Sequence, residues 1–347
     1  MKKALLAFLL ISVLAGGAFA QVTFSGSAYV GIQLVVPDSG DESIATAHRE
    51  ESVPTLNFMA TVMRENYGVR LDTTFRMMEN LNPEPGEARF FGDMELNGIY
   101  GWVDFDGFLS DDSFRLTMGQ ISSTPWVLPR FHHSHAEIEF GNIRGFRADY
   151  ITPLPGLNVG AALRAEGRNM QDTFERMVFG ASYIHPMFSV VFAYDLSANV
   201  HTMLGFNFTG IPDLTAGFKL RAGNLASWDN DFTPGTLLLR QRVGYRVMRP
   251  LNVFLIMSQE FVNESDTDTW LEFIPGVEYR FLPNLTGSLS VIIESPDHFT
   301  TTNLTINPVL EHTLRGPAIL YVEYRLHLDN METVTHTFGF GITISMF

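Results

Sequence analysis

The chain has 347 residues, with 23 basic against 38 acidic side chains and no cysteine. Acidity of that degree argues against a nucleic-acid partner. The missing thiols exclude disulfides, thiolate metal sites and a lipid-modified cysteine. Charged residues make up 18% of the chain, below the ~25% of soluble domains.

The first segment reads Met1-Lys2-Lys3, an apolar run from Ala4 to about Leu14, then Ala15-Gly16-Gly17-Ala18-Phe19-Ala20. A charged start, a short apolar stretch and an A-x-A end predict a signal peptide over 1–20, exported through the Sec route and cleaved after Ala20. The run is too short for the ~20 residues of a spanning helix. Losing Lys2 and Lys3 takes the net charge from −15 to −17. No later stretch is long and apolar enough to predict a transmembrane helix. That leaves a large soluble β-protein or a closed membrane barrel.

Alternation decides between them. From Val22 to Val36 the even positions are Val22, Phe24, Gly26, Ala28, Val30, Ile32, Leu34 and Val36, and the odd ones are mostly small and polar. A two-residue period sends the two sets to opposite faces of a strand. Leu56, Phe58, Ala60 and Val62 repeat it, as do Tyr67, Val69, Leu71 and Phe75 against Arg70, Asp72, Thr74 and Arg76. Further copies run over 157–164, 214–221, 237–247, 271–281 and 322–328. Strands of about 10 to 15 residues exceed the ~5–6 usual in soluble sheets.

Short proline-marked turns fall at 152–157, 185–187, 211–214, 249–252, 282–285 and 315–317. The segments 37–53, 79–95, 122–143, 167–173, 224–235 and 263–269 are longer and more polar. Short turns at one rim and long loops at the other predict an all-β, transmembrane antiparallel barrel over 21–347. The count is about 18 strands, with 16 as the alternative and both termini at the short-turn rim. The faintest strands lie at Leu96–Phe108 and Asn303–His312. Tyr67, Phe146, Phe188, Phe281, Tyr324 and Phe338 are candidates for interfacial girdles.

The last strand carries Phe338, Phe340, Ile342 and Ile344 on one face and ends at Phe347. A terminal phenylalanine on an amphipathic strand resembles the assembly signal of outer-membrane barrels, although here Phe347 falls on the Thr/Ser/Gly face. Val22–Tyr29 is similar to the first strand of many porins, and Phe114–Gln120 resembles the strand before their third loop. The resemblance to the porin-like class implies an outer membrane of a diderm envelope, barrel-assembly machinery and periplasmic chaperones as partners, and trimers as a common assembly.

If the apolar faces meet lipid, the charged faces line the lumen. The expected basic lining is Arg70, Arg76, Arg115, Arg147, Arg164, Arg221, Arg240, Arg242 and Arg246, with Lys219 beside them. The expected acidic lining is Glu272, Glu278, Glu294, Glu311 and Glu323. A basic wall opposite an acidic one would set a transverse field, and such walls tune ion preference. Cross-strand pairing of these charges is the structural alternative. The third long segment, about 122–143, is expected to fold inward as a constriction carrying Trp126, Arg130, His132, His133, His135 and Glu137. The histidine spacing is that of a solvated loop rather than a metal site, and no cofactor is expected. No nucleophile, base and orienter can be assembled, so no catalytic residue is assigned. The reading is a passive channel for small hydrophilic or ionic solutes, with a polar inner face. A closed barrel serving as surface anchor or adhesin is the first rival, and an outer-membrane enzyme a more distant one.

Overall fold

The computed structural model describes residues 21–38, 43–46, 55–79, 90–107, 112–121, 126, 143–165, 174, 176–196, 201–223, 236–262, 270–295, 301–314 and 317–346. The 1–20 leader and Phe347 lie outside them, as do most of the 122–143 segment and its residues Arg130, His132, His133, His135 and Glu137.

The strands are β1 (Gln21–Pro37), β2 (Ser43–Thr46), β3 (Thr55–Arg64), β4 (Tyr67–Glu79), β5 (Phe90–Asp106), β6 (Ser113–Ile121), β7 (Ile143–Ile151), β8 (Leu157–Arg164), β9 (Met177–His185) and β10 (Phe188–Asp195). They continue with β11 (His201–Phe208), β12 (Leu214–Gly223), β13 (Thr236–Met248), β14 (Leu251–Val262), β15 (Trp270–Leu282), β16 (Leu285–Ser295), β17 (Asn303–Thr313), β18 (Ala318–Asp329) and β19 (Thr333–Met346). Each pairs antiparallel with its sequence neighbour, and β1 closes the sheet on β19 from Gly26↔Met346 to Pro37↔Thr335. The other edge of β1 is shared: β3 covers its lower part and the four-residue β2 its upper part. Without β2 the closed barrel has 18 strands. At ~4.8 Å per strand and ~40° tilt, the backbone diameter is roughly 35 Å.

The two faces separate as the alternation predicts. Phe24, Ile32, Val69, Met118, Phe192, Val243, Phe281, Val322 and Phe340 are exposed on one face. The opposite set is where buried groups from different strands meet. Aromatic rings sit close together on the outer face toward the short-turn rim. Tyr183, Phe188, Phe206 and Phe218 follow one another across β9 to β12 at 5.8–6.1 Å between ring centroids. Tyr279 meets Phe281 at 4.9 Å.

Both faint strands are present, as β5 and β17, and each is faint for a local reason. In β5 the ladder with β4 slips between Asp72 and Thr73, so that Asn97 is an extra residue. The outward parity therefore changes from Met94 and Leu96 to Ile99, Val103 and Phe105. A bulge of this kind breaks the two-residue period that a sequence reading relies on. In β17, Pro308 faces outward with no amide to donate, and the ladder to β18 is unpaired between Ile306 and Val309.

Candidate site on the inner wall

Rows of register-paired residues cross the inner wall obliquely, and each row has its own chemistry. One row runs Asp104↔Arg115↔Asp149 over β5, β6 and β7, with signs alternating. Arg115 holds Asp104 with two hydrogen bonds, Nε at 2.6 Å and Nη2 at 2.9 Å. Its guanidinium also lies 5.6 Å from the centre of the Trp102 ring. Arg147 donates from Nε to Asp149 at 2.7 Å with both side chains nearly buried. Arg164 reaches Asp195 at 2.9 Å, across β9.

A second row runs Lys219↔Arg240↔Ser258↔Glu272↔Glu294 over β12 to β16. Here like charges face each other: lysine opposite arginine, then glutamate opposite glutamate. Lys219, Arg240, Ser258 and Glu272 are all buried, and Ser258 Oγ donates to Glu272 at 2.9 Å. The other cations of this sector extend along the same two strands. Arg221 lies above Lys219 on β12, and Arg242 and Arg246 follow Arg240 down β13 at steps of two and four residues. Successive inward positions are ~6.8 Å apart, so the cations form a column that ends at Arg246. There Asp213 lies 3.5 Å away at the turn rim.

The remaining sequence-derived residues sort cleanly. Arg70 has Asp72 at 3.6 Å and Arg76 has Glu95 at 3.1 Å. At least six of the nine arginines, Arg70, Arg76, Arg115, Arg147, Arg164 and Arg246, have a carboxylate within 4.0 Å. Glu278, Glu294 and Glu311 lie half-buried on the inner face of β15, β16 and β17. Glu323 is buried with its Cγ over Gly339. Phe338, Phe340, Ile342 and Ile344 share the outward parity of β19. Among the described residues no group of three or more His, Asp or Glu is placed to hold a metal.

Two expectations need correction. The glutamates Glu272 and Glu278 do not face the β13 cations across the lumen, because only β14 separates the two strands. Nor is the inner face uniformly polar. Phe254, Ile256, Ile274 and Ile292 form one inward apolar cluster on β14 to β16. Tyr100, Ile121, Trp126, Ile143, Ala162 and Val178 belong to another, against which Trp102 and Trp270 pack. The acidic partners Asp104, Asp149 and Asp195 were also overlooked as wall residues. They share parity with the arginines, which was the available signal.

Glycines let large inward side chains lie flat on the wall. A methyl group on Gly276 would come within 2.1 Å of the Phe254 ring, and one on Gly68 within 2.3 Å of the Trp102 ring. From the segment after β6, Trp126 is fully buried against Gly160 of β8 and Gly180 of β9.

No protein-family model matches the sequence, and no curated protein does either. Solved structures do share the architecture. OccK9 of Pseudomonas aeruginosa superimposes with a TM-score of 0.60 at 9% identity, over 94% of this chain and 98% of that one. The outer membrane channel DcaP of Acinetobacter baumannii gives 0.51 at 12% identity, over 95% and 99%. OpdK of Pseudomonas aeruginosa, solved with vanillate, gives 0.55 at 13% identity, over 93% and 98%. The fold is that of outer-membrane porins and channels.

Proposed function

We propose that this chain is an outer-membrane porin, a passive channel for small hydrophilic or ionic solutes. On this reading the 1–20 segment is its export leader, and the 122–143 segment narrows the lumen. The single observation behind it is the closed barrel of 18 strands with charged columns on its inner wall. A barrel of about that size leaves an interior its own wall cannot fill, whereas eight strands would pack shut. The exposed apolar outer face with its aromatic rings suits lipid. Cations stacked along β12 and β13 act on a solute in low-dielectric surroundings, where their field is stronger than that of screened loop acids. Small anions are therefore the favoured ions despite the net negative charge.

The test is single-channel recording of refolded 21–347 in a planar bilayer under a salt gradient. Discrete open steps with an anion-directed reversal potential are expected. Silence from protein folded by circular dichroism would overturn the channel and favour the closed anchor or adhesin. A cation-directed potential would show that the glutamates dominate.

A further inference from the structure

We infer that the outer face of β15 to β19 carries a seat for one acyl chain of an anionic phospholipid, whose phosphate is held at the short-turn rim by Arg249 and His312. The inference needs the outer-membrane placement of the barrel and not an open channel.

A groove of ≈ 480 Å³ runs along this face between two aromatic ridges. On one side Phe281 packs on Tyr279, and on the other Phe338 packs on Tyr324, each pair with ring centroids 4.9 Å apart. The outward positions between the ridges are low. Gly287 of β16 has no side chain, and a methyl group there would come within 2.6 Å of the Phe281 ring, which lies against it. Pro308 of β17, opposite Leu289 in the ladder, contributes only its short ring to the floor. Leu289, Leu310 and Val322 complete the lining and are exposed.

The groove opens toward the membrane hydrocarbon, and its lining is apolar. Water does not settle there, because a bound water needs about two to four polar partners. An empty groove forfeits the contacts its lining could make. A second barrel fits poorly, since a convex wall resting on the two aromatic ridges leaves the floor uncovered. A thin, flexible hydrocarbon chain reaches that floor, and the volume falls within the ~300–1,000 Å³ of small-ligand sites.

The rim end of the groove supplies the charge. Register sets Leu251 opposite Tyr279 and Leu285 opposite His312. Arg249 lies just before Leu251, exposed in the turn between β13 and β14. His312 follows Pro308 and Leu310 down the outward parity of β17. The two residues therefore bracket the rim end from opposite sides. β14 and β17 are three strand spacings apart, ~14 Å, a span that an arginine, an imidazole and one headgroup can bridge together. An interfacial arginine attracts an anionic headgroup, and an imidazole keeps an N–H donor in either tautomer.

The experiment exchanges refolded 21–347 in detergent with phosphatidylglycerol or with phosphatidylcholine of the same acyl chains. Native mass spectrometry counts the lipids retained per barrel. The wild type is expected to retain one phosphatidylglycerol, preferred over phosphatidylcholine by about fivefold or more, the effect of one interfacial arginine. Arg249→Gln with His312→Leu should remove that preference while the chain still binds. Leu289→Trp, which fills the groove from its exposed outer side, should lose the retained lipid of either kind. Circular dichroism and the heat-induced gel shift establish that each variant is a folded barrel. Equal retention of the two lipids by the wild type, or retention unchanged by Leu289→Trp, would overturn the seat. An oligomer that Leu289→Trp dissociates, with the lipid count per barrel unaltered, would overturn it too and give the groove to a second copy of the chain. None of these readings involves conductance, so the channel stands or falls separately.

Discussion

The two charged sectors of the inner wall use the same residue types in opposite ways. On β5 to β7 the signs alternate along a row, Asp104, Arg115, Asp149, and each charge has an opposite neighbour in register. On β12 to β16 the signs are segregated, Lys219 and Arg240 on one side of Ser258, Glu272 and Glu294 on the other. Opposite charges across a ladder stabilise it, whereas like charges directly opposite destabilise it. An alternating row cancels its own field within a few ångströms. A segregated row keeps its cations and its carboxylates on separate strands. The first arrangement places opposite charges strand by strand, and the second sorts them by sign along the wall.

The largest effect should come from the alternating sector, and on stability. Asp149→Ala removes the carboxylate that lies 2.7 Å from the buried guanidinium of Arg147. A loss of about 3–5 kcal/mol is expected for breaking a buried pair, read by urea unfolding in detergent micelles. Ion preference of the surviving barrel should stay near wild type. A change in preference without destabilisation would erase the distinction between the sectors.

Next comes selectivity in the segregated sector. Arg240→Gln with Arg242→Gln should lower the anion-to-cation permeability ratio roughly tenfold, equivalent to ~1.4 kcal/mol. Glu272→Gln, which keeps an acceptor for Ser258, should move it the other way. Reversal potentials under a salt gradient measure both. Shifts of the same sign in the two variants would contradict a wall sorted by sign. The smallest effect belongs to the rim, where Arg246 and Asp213 are about half exposed and 3.5 Å apart. Asp213→Asn should cost under ~1 kcal/mol, as exposed ion pairs do. A larger loss in thermal unfolding would show that the turn rim is held more tightly than its exposure suggests.

The barrel was legible because membrane strands must alternate. One face meets lipid and the other does not, so Val22, Phe24 and Ile32, or Val243, Tyr245 and Val247, announce their faces in any window of a few residues. The turns at Pro153, Pro212 and Pro283 announced the short-linked rim in the same local way. The break came where the period itself breaks, at Asn97, because a bulge is decided by the ladder to β4 and not by β5 alone.

The inner wall was legible only by parity. Sequence placed Arg115, Arg147 and Arg164 on the correct face, but not beside Asp104, Asp149 and Asp195. It placed Arg240 and Glu272 on that face too, but as opposite walls rather than two strands apart. Trp126 could be named, yet nothing within its own segment points to Gly160 and Gly180.

By itself, then, the sequence determined the fold class, the two faces of each strand, the two rims and about how many strands close the barrel. These follow from a two-residue period and from turn chemistry, both properties of neighbouring residues. Tertiary structure alone decided which charge meets which, where the interior becomes apolar, and what holds Trp126. Those depend on register between strands, where a slip of one residue turns every side chain to the other face, and on contacts between residues far apart in the chain.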